Sequence, residues 1–297
     1  MVQPLQQSLS VQPALCAGTK RCTLFTSDLY NIADFESNNS KRTNFGKGYT
    51  DEFCINFSRK GFYIYQSFRR KHEEYSSQLL IEKPGCEFNL IQQWPGPGAC
   101  TIFRFNAIAF ENIKEQYRLN DCSFFTNPNI FSLLLKASPE AEYFHYRVLQ
   151  NVQEPRAGKL ETDQLVMEML DAVMQLLLIP PGNALPENHQ KHHLVTIERA
   201  KEYLFENFHH DISLLELSRY CYVSVFHFSR LFKQFTGYSP YQYLRKIRLQ
   251  HAERLIRTTD LPITDICFQS GFNRLDYFST AFTKQYNVSP SKYNPRF

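Results

Sequence analysis

One short pattern occurs twice in this chain, at an offset of fifty residues. The stretch "FHFSRLFKQFTGYSPYQYL" begins at Phe226, and "DYFSTAFTKQYNVSPSKYN" begins at Asp276. A repeat of this length predicts two copies of one structural unit, so the shared residues should have the same role in each copy. The residues shared at equal spacing are Phe228/Phe278, Ser229/Ser279, Phe232/Phe282, Ser239/Ser289, Pro240/Pro290 and Tyr243/Tyr293.

The shared residues include the apolar face of a helix. Apolar side chains at positions i, i+3, i+4 and i+7 lie on one side of a helix, and such a side is normally buried. The first copy has Phe228, Leu231, Phe232 and Phe235 at this spacing, and the second has Phe278, Ala281 and Phe282. The sequence therefore predicts two similar helices whose polar sides are left for another purpose.

A shorter helical stretch precedes each of these helices, "LLELSRYC" in the first copy and "ITDICFQSG" in the second. A short helix, a tight turn and a longer helix form a helix-turn-helix. Gly271 stands in the second turn where a left-handed residue is expected, whereas the first turn, "RYCYVS", has no glycine. Ser224 and Asn273 directly precede the longer helices and are predicted N-caps. Free N–H groups at these helix starts would suit phosphate.

The charge of the chain is unevenly distributed. The net charge is +4. From Leu194 onward there are 14 Lys and Arg against 9 Asp and Glu, whereas residues 1–193 have 19 against 20. A basic excess confined to the repeat-containing third indicates contact with a polyanion.

The segment from about Val195 to Tyr293 resembles the DNA-binding domain of the AraC/XylS family of bacterial transcription regulators. The resemblance rests on "LSRYCYVSVFHFSRLFKQFTGYSP", on "ITDICFQSGFNRLDYFSTAFTKQYNVSPSKY", and on Arg248, Ala252, Leu255 and Ile256 between them. It implies two helix-turn-helices joined by one long helix. Their recognition helices would enter successive major-groove segments on one face of double-stranded DNA.

The resemblance also implies which residues face DNA. Base-facing positions of the first unit fall on Phe226, Ser229 and Arg230, and Arg230 would contact guanine. The alternative is a solvated or phosphate-binding arginine. The implied DNA-binding residues are Ser224, Phe226, His227, Ser229, Arg230 and Lys233 in the first unit, and Asn273, Arg274, Leu275, Asp276, Thr280 and Lys284 in the second.

The second unit departs from the family pattern. Members often have Arg or Lys near the position of Thr280 and Lys at that of Thr283, and this chain has neither. We therefore expect the second helix to contribute mainly phosphate contacts through Asn273, Arg274 and Lys284.

Residues 20–105 contain many short stretches rich in β-formers, such as "FCINFSR", "GFYIYQSFRR" and "ACTIFRF", separated by turn residues. Many short strands at regular spacing indicate a sandwich or barrel. Residues 108–179 have helical patterns, and "LIPPGNALPENHQKHH" (178–193) is typical of a linker. The family resemblance implies that the barrel is cupin-like, that it senses a small molecule, and that a helical dimerisation element follows. The helix predicted at 159–179 either makes this dimer or packs on its own domain.

The predicted fold is therefore a two-domain α+β protein. Residues 1–180 form an effector-sensing and dimerisation domain, with a cupin-like β-barrel at about 20–105 and helices at about 108–179. Residues 181–193 form the linker, and 194–297 form an all-α domain with two helix-turn-helix motifs. If the barrel binds a ligand, aromatic and basic side chains should line its pocket. The candidates are Phe57, Arg59, Tyr63, Tyr65, Arg69 and Trp94, for each of which an ordinary core or surface role is the alternative because strand register is unknown.

An enzymatic barrel is disfavoured by its histidine content. Catalytic cupins bind a metal through clustered histidines and a carboxylate, whereas His72 is the only histidine before residue 145. A DNA-repair alkyltransferase fused to such a domain would have a Pro-Cys-His-Arg sequence, which is absent. We therefore predict no catalytic residue, no cofactor and no metal site.

The eight cysteines are scattered, which is typical of reduced thiols, and neither a secretory signal nor an apolar run of about 18 residues is visible. Together these features predict a cytoplasmic, sequence-specific DNA-binding transcription regulator. We expect a ligand-responsive activator that acts as a homodimer, with double-stranded DNA, a small-molecule effector and RNA polymerase as partners. One alternative is a DNA-binding regulator whose first domain binds a protein partner or only dimerises, and another is a cupin-type enzyme fused to a DNA-binding domain.

Overall fold

The computed structural model describes residues 18–68, 70–154, 158–178 and 191–293. Contacts between residues divide the described chain into two units. The first contains the chain up to Ser138 and continues from Arg147 to residue 178, and the second contains Pro139–Tyr146 and the chain from residue 191 onward. The predicted linker falls almost entirely outside the described residues, so the predicted domain boundaries stay a prediction.

The first unit is built on antiparallel β-sheets. One sheet has the strand order β1-β2-β9-β4-β7-β10 and the other the order β3-β8-β5-β6. The predicted β structure of the N-terminal domain is confirmed, with strands β1–β9 between Thr19 and Phe105. The strands are β1 Thr19–Thr26, β2 Tyr30–Asn39, β3 Thr43–Thr50, β4 Phe53–Lys60, β5 Phe62–Ser67, β6 Arg70–Tyr75, β7 Gln78–Glu82, β8 Cys86–Gln92, β9 Gly96–Phe105 and β10 Ser132–Lys136.

Strand β4 shows how the sequence covers both faces of the larger sheet. Its residues are buried from Phe53 to Ser58, without the polar alternation of a half-exposed strand. Successive side chains of a strand point to opposite faces. Phe53 stacks on Phe110 of a helix, with ring centroids 4.8 Å apart, whereas Asn56 lines a cavity that residues of both sheets enclose.

Strand β10 corrects the prediction that residues 108–179 are helical throughout. It pairs antiparallel with β7, with Leu133 opposite Ile81 and Leu134 opposite Leu80. The run "LLL" fits a helix or a strand equally well in the sequence alone, and the free edge of β7 decides for a strand. The remaining elements here are α1 Ala107–Gln116, α2 Ser123–Thr126, α3 Pro139–Gln153 and α4 Lys159–Leu178.

The second unit contains the predicted pair of helix-turn-helices joined by a long helix, which confirms its fold class. Capping boxes start α6 at Ser213 and α8 at Ser239. No helix in the described part of the chain is long and apolar enough to cross a membrane. The helices are α5 Lys191–Asn207, α6 Leu214–Tyr220, α7 Val225–Thr236, α8 Pro240–Thr258, α9 Ile263–Gln269 and α10 Leu275–Tyr286.

Candidate nucleic-acid interface and barrel cavity

The repeated residues build the same aromatic cluster twice. The Phe232 ring meets the edge of Tyr243 at 5.3 Å between centroids, and Phe282 meets Tyr293 at 5.4 Å in the same geometry. The phenylalanine one turn earlier lies 5.6 Å away in the first copy and 5.7 Å in the second. These four phenylalanines are fully buried. The shared Ser-Pro therefore starts the segment that returns the tyrosine to its cluster.

The two turns reach the same backbone geometry with different residues. Tyr222 has a φ of 57° and donates its N–H to the Arg219 carbonyl, and Gly271 has a φ of 81° and donates to the Phe268 carbonyl. A Cβ on Gly271 would come within 2.6 Å of the Phe208 carbonyl oxygen. A tyrosine occupies the left-handed position of the first turn, so it is this close approach that requires glycine in the second.

The second turn is also one residue longer, because residues 221–224 separate α6 from α7 and residues 270–274 separate α9 from α10. Ser224 is the N-cap of α7, as predicted, although its side chain makes no capping hydrogen bond. The prediction that Asn273 caps α10 is wrong, because the additional residue places Arg274 at that position.

The outer side of α7 carries cations that no carboxylate neutralises. Arg230 and Lys233 are exposed, and their side chains make no ion pair or hydrogen bond to any other residue that the structure describes. Phe226 is 90% exposed, although the other phenylalanines of this helix are buried. The His227 ring lies 5.2 Å from that of His193. Of the remaining predicted residues, Ser224 is exposed and Ser229 is half-buried.

At the start of α10, polar side chains mostly bond to neighbouring residues of the same segment. The Nη2 of exposed Arg274 lies 2.5 Å from Oδ2 of Asp276, and its Nε donates to Oδ1 at 3.1 Å. These hydrogen bonds lower the pKa of Asp276 and raise that of Arg274. The Thr280 hydroxyl donates to the Asp276 carbonyl at 2.9 Å. Asn273, Leu275 and Lys284 are exposed.

Two basic residues of the connecting helix α8 bind groups of other segments of the second unit. Arg248 donates to the carbonyl oxygens of Phe208 and His210, at 2.7 and 2.6 Å. The Lys246 ammonium lies 2.6 Å from a carboxylate oxygen of Glu140. These two cations therefore have partners inside the second unit, and their charge is not available to DNA in the same way as that of Arg230.

Glu140 belongs to a short segment that sequence reasoning placed in the first domain. Pro139–Tyr146, the first half of α3, groups with the second unit. The buried Glu142 accepts hydrogen bonds from Tyr243 and Lys201. Because these partners lie 59 and 101 residues away, no local sequence signal could have revealed them.

The first unit contains a cavity of about 70 Å³ between its two sheets. Two of the six predicted ligand residues, Tyr63 and Tyr65, line it. The others that the structure describes lie elsewhere: Phe57 packs on Phe103, Arg59 pairs with Asp34, and Trp94 stacks on Phe62. Arg69 lies outside the described residues. The cavity is lined by Arg21, Phe35, Tyr49, Thr50, Cys54, Asn56, Tyr63, Tyr65, Glu74, Leu80, Glu82, Phe88, Leu90, Cys100, Ile102 and Arg104.

Sequence reasoning missed the ionisable residues of this cavity. Glu82 accepts hydrogen bonds from Asn56, at 2.5 Å, and from the Tyr65 hydroxyl. Burial, with a smaller contribution from the charge of Glu82, raises the pKa of Glu74 to about 8. Burial also raises the pKa of the Cys54 and Cys100 thiols, which disfavours the reactive thiolate. No group of three or more His, Cys, Asp or Glu residues suited to a metal ion is found within the described chain.

Comparison with known proteins supplies the family. A model of a helix-turn-helix domain matches residues 217–296. The chain is 31% identical over 248 residues to the HTH-type transcriptional activator RhaS of Klebsiella pneumoniae (strain 342), an alignment that covers 75% of this chain and 86% of that protein. The chain belongs to the AraC/XylS family of transcription regulators. It is thus a DNA-binding regulator, as its sequence predicts.

Other similarities of this AraC/XylS protein are shorter. It is 40% identical over 91 residues to the HTH-type transcriptional activator RhaR of Yersinia pseudotuberculosis serotype O:3, which covers 31% of this chain and 28% of that protein. Among solved structures, the C-terminal domain of the response regulator AraT from Geobacillus stearothermophilus is 36% identical, with a TM-score of 0.33. That match covers 34% of this chain and 85% of the AraT domain.

Proposed function

We propose that this protein is a ligand-responsive transcription activator that acts as a dimer and reads DNA sequence mainly through α7. The observation that carries the proposal is the outer side of α7, where Arg230 and Lys233 lack partners among the described residues. At the start of the other recognition helix Arg274 is paired with Asp276, and the exposed cation of that helix, Lys284, lies in its last turn. Arg230 is free to bind O6 and N7 of a guanine in the major groove.

The other residues of α7 have complementary roles in this proposal. Lys233 contacts a phosphate, which strengthens binding without reading sequence. The exposed Phe226 contacts the methyl group of a thymine. The buried aromatic cluster keeps the helix backbone fixed, so these side chains are presented in one geometry.

Selection of binding sites from random duplex DNA by the full chain tests this assignment. Affinity for the selected site and for unrelated DNA is then measured for the wild type, Arg230→Ala and Arg42→Ala. Arg42 is an exposed arginine of the first unit and serves as the control. We expect Arg230→Ala to lose tenfold or more on the selected site and much less on unrelated DNA. Equal losses on both would mean that Arg230 contacts only phosphate.

The barrel cavity supports the ligand response, because apolar and aromatic side chains line it together with a few polar and charged groups, as is common for small-molecule sites. Native mass spectrometry of the full chain, purified from its own host, should show a bound small molecule that is released on unfolding. A protein partner captured in its place would support the alternative in which the first domain binds protein.

Helix α4 supports the dimer. Leu160 and Met167 are 82% and 39% exposed, and their spacing of seven residues places them on one side of the helix. Sedimentation equilibrium of Leu160→Glu and Met167→Glu should show weaker dimerisation than the control Ile108→Glu, which changes an exposed apolar residue of α1. In the same proposal the DNA-bound dimer recruits RNA polymerase, which in vitro transcription from a promoter with the selected site would reveal.

A further inference from the structure

Two arginines line the barrel cavity without a salt bridge among the described residues. Arg21 is on β1 and Arg104 on β9, and β2 lies between their strands. Neither side chain makes an ion pair or hydrogen bond to another described residue, although the charge of Arg104 lowers the pKa of Glu52 and Glu82. Nε of Arg21 is fully buried without an acceptor. Burial, followed by the charge of Arg104, lowers the pKa of Arg21, so the two guanidinium groups are close enough to repel each other.

The carboxyl groups of the cavity form no ion pair with either arginine. Glu82 is occupied by Asn56 and Tyr65, and neither Glu82 nor Glu74 lies within ion-pair distance of Arg21 or Arg104. Burial raises the pKa of Glu82, whereas its hydrogen bonds and the charge of Arg104 lower it. Burial raises the pKa of Glu74 to about 8, so this carboxyl group can bind a proton at neutral pH. An arginine cannot be neutralised in this way, because its guanidinium stays protonated in proteins. Protonation of Glu74 therefore leaves two guanidinium charges against at most one carboxylate in the cavity.

The remaining lining is mostly apolar. Leu80, Phe88, Leu90 and Ile102 face the same space, and the guanidinium of Arg21 lies 5.7 Å from the centre of the Phe35 ring. A ligand for this cavity thus needs an anionic group and an apolar body. A neutral polyol would leave both guanidinium groups without an ion pair, and a cation would add to their repulsion.

We propose that the cavity binds an organic carboxylate, with its charged group between Arg21 and Arg104 and its apolar body against Phe88, Leu90 and Ile102. The guanidinium groups supply charge-assisted hydrogen bonds whose geometry matches a carboxylate. This inference rests on the proposed function, in which the barrel holds the effector of the regulator.

Matched ligand pairs test the inference with the full chain. The probes are straight-chain carboxylates from butanoate to dodecanoate and 2-naphthoate, each paired with the primary alcohol of the same skeleton. Binding is measured by titration calorimetry and by the shift of the thermal unfolding midpoint. At the best-fitting length the acid should bind at least about tenfold more tightly than its alcohol.

Variants locate the binding site. Arg21→Gln and Arg104→Gln should each weaken binding of the acid about tenfold and leave binding of the alcohol within about twofold, since only the charged contact is removed. Arg42→Gln, on the exposed side of the same unit, should change neither. Unchanged alcohol binding also shows that a variant is folded.

Three results would overturn the inference: no binding by any pair, equal binding of acid and alcohol, or equal loss of both ligands in the arginine variants. DNA affinity for the selected site, measured in parallel, separates this outcome from failure of the proposed function. Retained sequence-specific DNA binding without acid binding rejects only the carboxylate. If the wild type binds selected and unrelated DNA equally well, with and without acid, the proposed function is rejected.

Discussion

The two helix-turn-helix units have the same interior and different surfaces. Each packs two fully buried phenylalanines of its recognition helix with a tyrosine that follows Ser-Pro, buried at Tyr243 and half-buried at Tyr293. The ring distances agree to about 0.1 Å. On the outer side, α7 presents Arg230 without a partner among the described residues, whereas α10 pairs Arg274 with Asp276. A repeated core thus fixes the backbone twice and leaves each surface free to change.

The largest effect should test the equality of the two cores. Phe232→Ala and Phe282→Ala each remove a fully buried ring and should lower the free energy of unfolding by about 3–5 kcal/mol. Denaturant unfolding followed by far-UV circular dichroism measures both losses. Phe226→Ala, at an exposed position of α7, is the control and should change stability by less than about 0.5 kcal/mol. A clear inequality between the two core variants would break the comparison.

The turns should respond unequally. Gly271→Ala should lower the free energy of unfolding by about 2–4 kcal/mol, because it adds left-handed strain and a contact with the Phe208 carbonyl. Tyr222→Gly should change stability by less than about 1 kcal/mol, since Tyr222 is 85% exposed and glycine accepts its backbone conformation. The same denaturation experiment checks both, and a tolerated alanine at 271 would contradict the structure.

Exchanging one pair of equivalent positions probes the surfaces. Thr280 stands fifty residues after Arg230, at the same place on its helix. Arg230→Thr should weaken binding to the selected DNA site by about 1–3 kcal/mol, because a guanine contact is lost. Thr280→Arg should not restore that affinity in the double variant, since it faces another part of the site. Gel-shift titration with selected and unrelated DNA gives the result, and full restoration would show that the two helices are interchangeable.

The smallest effect should come from releasing Arg274. Asp276→Asn removes a negative charge and the ion pair, so Arg274 becomes available to a phosphate. Affinity for any duplex DNA should rise by up to about 1 kcal/mol at low salt, and the slope of log affinity against log salt should steepen by about one. Asp265→Asn, an exposed acid of α9, is the charge-matched control. The same slope in both variants would mean that only net charge matters.

Much of the second unit could be predicted from its sequence, because its signals are local. Helical spacing identified the buried faces, and the glycine at 271 marked the second turn. Local patterns predicted the wrong structure where pairing with a distant element determines it. Residues of β10 form a strand because they pair with the edge of β7. The N-cap of α10 was misplaced by one residue because the two turns differ in length.

The barrel site could be predicted much less well. The sequence indicated aromatic and basic residues in the strands, but side chains alternate between the faces of a sheet, and only register decides which of them meet. Thus Arg59 pairs with Asp34, while Arg21 and Arg104 reach the cavity from strands on either side of β2.

By itself, the sequence of this protein determined its family, its two repeated units and the residues of their cores, because those depend on spacing along one helix. Only the tertiary structure decided which charges remain without partners. It paired Arg59 with Asp34, bonded Arg248 to two carbonyl groups, and placed Arg21 and Arg104 around one cavity. The reason is physical: the availability of a charge depends on what lies within a few ångströms of it, and folding brings those neighbours from distant parts of the chain.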